Sequence, residues 1–328
     1  MCIRDRNIGI SRYPQDARDT QTLLRRADVA MYVAKRGVAP YEYYDQRRDA
    51  HSVRRLAMVA RLRAAIGTPH LQLKYQPKIN LRTGRAESVE ALMRWTHPTL
   101  GPIGPSEFIP LVESTELVRP VTDWALREAL MQAERWRHLG LGLRIAVNLS
   151  ARLLQDAEFP DRLRAILAAS HVIAGSLELE ITESAMMFDP ARAQRAIAEI
   201  AGLGVPVTVD DYGTGFSSLS YLRDLPVDAL KLDKSFVLDL PARPDNQVIV
   251  ASTVLMAHAL ELQVIAEGVE TAWTASYLAE KGCDQAQGFL YSPALAGDEC
   301  LAWIRQFNAA SGRDTAAVRA QTMQLAHG

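Results

Sequence analysis

Leu177-Glu178-Leu179-Glu180-Ile181-Thr182-Glu183 and, one helical stretch later, Val205-Pro206-Val207-Thr208-Val209-Asp210-Asp211-Tyr212-Gly213-Thr214-Gly215-Phe216 decide the reading of this 328-residue chain. Both are short apolar runs that end in carboxylates. A strand sends alternate side chains to opposite faces, so Glu178 and Glu180 share one face and Leu177, Leu179 and Ile181 the other. Asp210 and Asp211 are neighbours and cannot both face inward from a regular strand. They are expected to converge where the strand ends and the glycine-rich loop begins. Carboxylates crowded in this way repel one another unless cations lie between them. Acidic residues at a strand end can also simply cap the next helix. Two such segments in succession, each followed by a helical stretch, favour a site over a pair of caps.

Outward from these segments, apolar strand-like runs alternate with amphipathic ones from Leu71 on. The strand candidates are 71–79, 88–95, 143–150, 177–182, 206–211, 229–233, 263–269 and 284–292, and the main helical stretches are 121–139, 155–170, 190–203, 245–261 and 271–281. About eight strands with intervening helices over roughly 240 residues have the rhythm of a β/α barrel, with a doubly wound open sheet as the alternative. Polar residues gather at the strand C-termini: Glu90, Asn148, Glu180, Asp210, Asp211, Lys231, Glu267 and Gln287. A barrel builds its active site at that edge, whereas an open sheet would spread these groups apart. The predicted fold is therefore α/β, a TIM-like (β/α)8 barrel over 68–309.

Composition excludes several classes. A formal net charge of −1 and a pI near 6.7 give no basis for binding a nucleic-acid polymer or an anionic membrane surface. Cys2, Cys283 and Cys300 fit neither a disulfide framework nor a zinc spacing and suit a reducing cytoplasm. The most apolar stretch, 248–260, is interrupted by Ser252, Thr253 and His258 and is too short to cross a bilayer. No membrane segment is expected in this chain, although a longer parent could be tethered upstream.

Residues 1–6 have no hydrophobic period and back-translate readily to a sequencing-adapter end, so they are set aside as non-native. Ile8 and Ile10 then alternate like a strand. Thr20 is the expected N-cap of a helix carrying Leu23, Leu24, Ala27, Met31 and Ala34, closed by Gly37. Residues 46–67 are rich in Arg, with Val53, Leu56, Val59, Leu62 and Ile66 at helical spacing, and read as a connecting helix with a solvated basic face. Residues 310–328 are polar and small, carry no motif and are expected to be disordered.

Glu, Asp and Asn oxygens without His or Cys suit hard cations such as Mg²⁺ or Mn²⁺. An Asp pair lets one carboxylate bridge two ions while its neighbour holds the second, and a two-ion site can activate water for phosphoryl displacement. Lys231 shares strand parity with Asp233, with Leu230 and Leu232 facing away; a lysine pointing into a carboxylate cluster is more often just a counter-ion, and here it could also hydrogen-bond the attacking water. Its acidic neighbours oppose the loss of its proton, which favours positioning of water over proton removal. Arg94, at even spacing from Glu90, could fork onto phosphate oxygens.

At these residues the chain resembles an EAL domain, the phosphodiesterase of cyclic di-GMP. Glu90-Ala91-Leu92 stands inside ESVEALMRWTHP, with YQPKI upstream and FIPLVE, VNLSARLL, ELEITES, DDYGTGFSSL, KLD, AEGVE and QGFLYS downstream, in family order from about Leu71 to about Phe307. The resemblance implies that Glu90, Asn148, Glu180 and Asp210 hold a first Mg²⁺ or Mn²⁺ ion, and Asp210, Asp211 and Glu267 a second. It implies that Lys231 contacts the attacking water. Glu183 would brace the DDYGTGF loop, which in the family links the metal site to a homodimer interface. Gln76, Leu92, Arg94, Glu270 and Gln287 would line the dinucleotide site. The implied reaction opens one phosphodiester bond of cyclic di-GMP to give linear pGpG; a catalytically silent cyclic di-GMP receptor or regulatory domain is the alternative. Tyr212, Phe216 and Pro293-Ala294 depart from the family pattern, the last at the substrate edge. Residues 7–45, with an SIGI-YP-like start and LLRRADVAMYVAK, resemble the C-terminal part of a GGDEF domain whose signature is not in this chain.

Overall fold

A computed structural model describes residues 8–36, 40–187, 189–214 and 219–325. It divides into two units at Ala65/Ile66. Residues 1–6, Gly37, Gly215 and Phe216, which entered the sequence reading, lie outside the described residues.

In the first unit, β1 (Ile8–Ile10) pairs in parallel with β2 (Tyr41–Tyr43), and the helix Thr20–Arg36 lies between them in the chain. The side chain of Asp19 accepts the Thr22 N–H at 2.8 Å, so Asp19 caps this helix rather than Thr20. The helix Gln46–Ala65 follows, where the connecting helix was expected.

The second unit contains β3 (Leu71–Asn80), β4 (Arg85–His97), β5 (Gly101–Ile103), β6 (Arg144–Asn148), β7 (Leu177–Thr182), β8 (Val207–Tyr212), β9 (Ala229–Leu232), β10 (Gln263–Ala266) and β11 (Gln285–Ala286). Pairing runs β4-β6-β7-β8-β9-β10-β11-β3 and returns from β3 to β4, which closes an eight-stranded barrel; β5 only extends β4 at its edge. The closed barrel bears out the predicted class, with one difference. β3 is antiparallel to both of its neighbours, and no helix joins it to β4. The cause is local. The Asn80 side chain accepts the N–H groups of Arg82 and Thr83, and Gly84 has φ +66°. A turn this short can only deliver an antiparallel strand.

Amphipathic helices carry most of the parallel crossovers. The helix Pro190–Gly202 buries Ala193, Ala196, Ile197 and Ile200 on one stripe, and Asp189 caps its first turn by accepting the Arg192 N–H. The outward strand residues Leu177, Leu179 and Ile181 are fully buried. The barrel interior is different in kind: Lys78, Glu90, Glu178, Glu180, Thr208 and Lys231 are all buried there. Residues 310–325, expected to be disordered, instead continue the final helix Gly297–Leu325, in keeping with the helix propensity of its Ala, Arg, Gln and Met residues.

Gly288 sits where the chain after β11 bonds the backbone of Val269 on both sides, through Val269 N–H to Gln287 O at 3.0 Å and Leu290 N–H to Val269 O at 3.0 Å. A Cβ at Gly288 would lie 2.1 Å from Val269 O and 2.3 Å from Val269 N. Gly202, by contrast, has open space around its Cβ position and needs no left-handed backbone. Urea denaturation is expected to show Gly288→Ala destabilised by about 3 kcal/mol, the upper end for overpacking. Gly202→Ala should be neutral or stabilised by about 0.5 kcal/mol through the unfolded chain.

Candidate functional site

Strand parity places the functional groups in two layers inside the barrel. In the upper layer β3 contributes Gln76, β4 Glu90, β6 Asn148, β7 Glu180, β8 Asp210 and β9 Lys231, with Glu267 and Gln287 one residue beyond β10 and β11. Two residues deeper along the same strands lie Lys78, Ser88, Glu178 and Thr208. The register confirms the upper layer, with Gln76 opposite Glu90 and Asn148 opposite Glu180.

The buried ammonium of Lys231 is the hub. It lies 3.1 Å from Glu90 Oε2, 3.2 Å from Glu180 Oε2 and 3.4 Å from Asp210 Oδ1. Asn148 turns an amide N–H onto Glu90 Oε1 at 2.7 Å, and Gln287 donates to Glu90 Oε2 at 2.8 Å and to Gln76 Oε1 at 3.0 Å. Gln76 in turn donates to Ser292 O at 3.0 Å. The three carboxylates proposed from the resemblance as first-ion ligands therefore meet at one point.

Asp210 and Asp211 do converge, but not by the expected route. β8 runs on to Tyr212, and its register against β9 shifts between Val209 and Tyr212. Asp211 sits in that bulge with φ +54°, a conformation that Asp tolerates better than most side chains. The bulge breaks the alternation and turns both carboxylates to the same side. Oxygens of Asp210, Asp211 and Glu267 then lie within 4.8 Å of one another, an acidic group able to hold a metal ion. Beside it, the buried Glu183 accepts the Gly213 N–H at 2.9 Å and fixes the start of the loop after β8.

The charges respond as this crowding requires. Burial alone would raise the Glu90 carboxyl, but the ammonium groups of Lys231 and Lys78 and the amide bonds from Gln287 and Asn148 outweigh it and hold it at about 2. Glu180 is pushed up to about 8 by burial and by the charges of Glu90 and Asp210, against the pull of the two lysines. Burial and neighbouring carboxylates also raise Glu267 and Asp211. Burial works against the charge of Lys231, yet Glu180, Glu90, Asp210 and Glu267 raise it well above the ordinary lysine value. Lys231 is a fixed cation and a hydrogen-bond donor.

The remaining expected residues stand further out. Leu92 and Arg94 follow Glu90 on the same face of β4, both partly exposed. The Arg94 guanidinium donates to Met93 O at 2.9 Å and feels the charge of Glu90. Glu270 is exposed beyond β10 and bonds none of the cluster among the described residues. The sequence reading assigned no role to Lys78 or Thr208. Lys78 bonds Glu178 Oε1 at 2.9 Å and Glu180 Oε1 at 2.5 Å, and the Thr208 hydroxyl donates to Glu178 Oε1 at 3.1 Å. The available signal was parity: Lys78 lies two residues from Gln76 on the face of β3 that also carries Gln72, Lys74 and Asn80, opposite Leu71, Tyr75 and Ile79.

Comparison with known proteins agrees with this geometry. Residues 59–294 match the family model of the EAL domain. The chain is 39% identical over 272 residues to the cyclic di-GMP phosphodiesterase PA2567 of Pseudomonas aeruginosa, covering 83% of this chain and 46% of that protein. It is 36% identical over 302 residues to the cyclic di-GMP phosphodiesterase PdeR of Escherichia coli, covering 92% of this chain and 46% of the relative. The chain thus spans about half the length of these relatives. Among solved structures, it superposes on the PaMucR phosphodiesterase in complex with c-di-GMP with a TM-score of 0.71 at 37% identity, over 74% of this chain and 99% of that one.

The raised carboxyls fix the sign of a pH effect. Glu180, Glu267 and Asp211 hold protons in the folded, metal-free protein at pH values where the unfolded chain has lost them. The stability they confer is complete below the ordinary carboxylate range and is lost as pH rises through their folded values, up to about 8 for Glu180. Glu90, held low, titrates well below this window. The melting temperature in EDTA is expected to fall from pH 6 to pH 9. The rise produced by Mn²⁺ should grow over the same range, because the ion displaces protons. Differential scanning fluorimetry checks both; a flat EDTA profile would contradict the assignment.

Proposed function

The chain belongs to the EAL domain family, and from that premise we propose that it is a metal-dependent phosphodiesterase that hydrolyses cyclic di-GMP to linear pGpG. The observation that carries this reading is the convergence of Glu90, Glu180 and Asp210 on Lys231 beside the Asp210–Asp211–Glu267 group.

The donor set fits two hard divalent ions. It offers only oxygen ligands, and burial together with neighbouring carboxylates drives Glu180, Asp211 and Glu267 toward protonation. Glu90, Glu178, Glu180 and Asp210 bond Lys78 or Lys231, and Asp211 and Glu267 adjoin Asp210. Six carboxylates against Lys78, Lys231 and Arg144 leave a formal excess of three negative charges, which favours divalent cations in the site. Glu90, Asn148, Glu180 and Asp210 would hold the first Mg²⁺ or Mn²⁺, and Asp210, Asp211 and Glu267 the second. When bound, the ions lower the pKa of water and draw charge from the phosphoryl oxygens.

The chain's own groups do the rest. Lys231, kept protonated by its neighbours, orients the attacking water and steadies the negative charge of the phosphoryl group without acting as base. Arg94 can leave Met93 O and fork onto a phosphate oxygen. Gln76 and Gln287 form a bonded rail from Glu90 to Ser292 along one wall, with Leu92 and Glu270 completing the dinucleotide site. Water adds across one P–O bond and the ring opens. Glu183 holds Gly213 and thereby the loop that follows the two aspartates.

The same reading extends to the rest of the chain. Residues 7–45 are proposed as the C-terminal part of a GGDEF domain, a reading supported by the parallel β1–β2 pair with a helix between its strands. A homodimer through the barrel unit is proposed, supported by the exposed Val248, Ile249 and Leu255 on the helix Pro244–Ala259. Tyr212, at the end of β8, touches Met256 of that helix through its hydroxyl at 3.7 Å. Among the described residues no helix is long and apolar enough to cross a membrane. A cytoplasmic location agrees with the buried free thiols of Cys283 and Cys300.

Purified protein with Mg²⁺ or Mn²⁺ should convert cyclic di-GMP to pGpG, separated by chromatography, and EDTA should abolish the conversion. Asp211→Asn should lower kcat by about 10²-fold with little change in KM, the loss expected on removing one electrostatic stabiliser of the transition state. Asp210→Asn should be worse, since both ions lose a ligand. Wild-type turnover by Asp211→Asn would contradict the two-ion assignment, and tight binding with no turnover by the native chain would favour a receptor. Leu255→Glu is expected to lower the dimer fraction in sedimentation velocity.

A further inference from the structure

The lower layer of the barrel holds a cation that the proposed reaction does not use. Lys78 is wholly buried, two residues below Gln76 on β3. Its ammonium bonds two carboxylates that alternate on β7, Glu178 Oε1 at 2.9 Å and Glu180 Oε1 at 2.5 Å. Glu180 is thus divided between two lysines: Oε1 goes down to Lys78 and Oε2 goes up to Lys231 at 3.2 Å. Glu178 is held in turn by the Thr208 hydroxyl at 3.1 Å and by Arg144 Nη1 at 3.6 Å, so Lys78 is anchored from below as well.

We propose that Lys78 is a positioning residue for the metal site, fixing Glu180 so that only Oε2 faces the ions, with Glu178 as the strut that fixes Lys78. The inference rests on the two-ion reading above. A carboxylate has two equivalent oxygens and can bind an ion through either or both. Bonding Oε1 to a buried ammonium removes that freedom and sets the carboxylate plane before any ion arrives. Groups behind a metal ligand act in this way and commonly govern affinity by 10- to 100-fold.

For removal of Lys78 alone, a charge effect and a positioning effect predict opposite signs, and for the double variant below, which loses one charge of each sign, charge alone predicts little change. If Lys78 acted only through its charge, removing it would leave the site more negative and tighten divalent-ion binding. If Lys78 positions Glu180, removing it should weaken that binding. Lys78→Met alone takes the nearer cation from both Glu178 and Glu180, leaving them only Arg144 and Lys231, and is at risk of misfolding. The double variant Lys78→Met/Glu178→Leu removes the cation together with its second carboxylate and refills the space with apolar groups. Such an exchange is often tolerated, and it still frees Glu180 Oε1.

The experiment measures free Mn²⁺ by electron paramagnetic resonance during titration of wild-type and double-variant protein, with turnover of cyclic di-GMP followed over the same Mn²⁺ range. For the double variant, the dissociation constant of at least one Mn²⁺ and the Mn²⁺ concentration for half-maximal turnover should both rise about tenfold or more. The KM for cyclic di-GMP at saturating Mn²⁺ should stay within about twofold, because ground-state substrate contacts are intact. Unchanged or tighter Mn²⁺ binding by the folded double variant would overturn the proposal while leaving the two-ion reading in place. Absence of Mn²⁺ binding by the wild-type protein would overturn both.

Discussion

The constraint on which this structure depends is the cost of burying like charge. Glu90, Glu178 and Glu180 are almost wholly shielded from water, and Asp210 is nearly so. An isolated buried carboxylate is so unfavourable that it takes up a proton or finds a cation. Lys78 and Lys231, each fully buried, meet that requirement as a pair, one beneath the other, and Glu180 joins them by giving an oxygen to each. The barrel interior supplies too few cations for its carboxylates, and the shortfall lies at the C-terminal mouth, where burial and neighbouring carboxylates raise Asp211 and Glu267. The proposal of a site for hard divalent ions rests on this electrostatic deficit as much as on the ligand types.

The fold makes the deficit tolerable. Closure of eight strands leaves no edge within the ring, with only β5 lying outside it, and fixes every inward side chain at a defined height, so the lysines cannot drift from their carboxylates. The outer faces of the strands are apolar and covered by helices. The stability of the barrel therefore comes from its outer layer, while its interior serves charge placement. One departure from regular geometry matters directly to the site. Without the bulge at Asp210–Asp211, strand alternation would point one of the two carboxylates into the helix layer. The strained φ of Asp211 is a local cost tied to the need for two adjacent acids on one side.

The order of effects runs from the lower layer upward. Arg144 and Thr208 hold Glu178, Glu178 holds Lys78, Lys78 sets Glu180, and Glu180 with Glu90 and Asp210 surrounds Lys231. A charge-alternating column of this kind is rigid because each member would be left buried and unpaired if its neighbour moved. At the mouth, Glu183 and Gly213 continue the same logic with a backbone donor in place of a lysine.

The sequence by itself determined the number of barrel strands, the helices between them and the inward face of β7. Periodicity is a local property, and the alternation of Glu178 and Glu180 with Leu177, Leu179 and Ile181 survives folding unchanged. It also determined which acidic residues gather at the strand ends, because chain order in a barrel is spatial order. The tertiary structure alone decided the rest. The direction of β3 depends on a turn whose bonds from Asn80 cannot be read from apolar pattern. The convergence of Asp210 and Asp211 depends on a register shift against β9, the next strand of the barrel, which apolar pattern does not reveal. The place of Lys78 depends on closure, since β3 and β7 are 97 residues apart at their nearest and reach each other only across the barrel interior. Long-range pairing of buried charges leaves no local trace in a sequence, because each partner's environment is made by segments that only folding brings together.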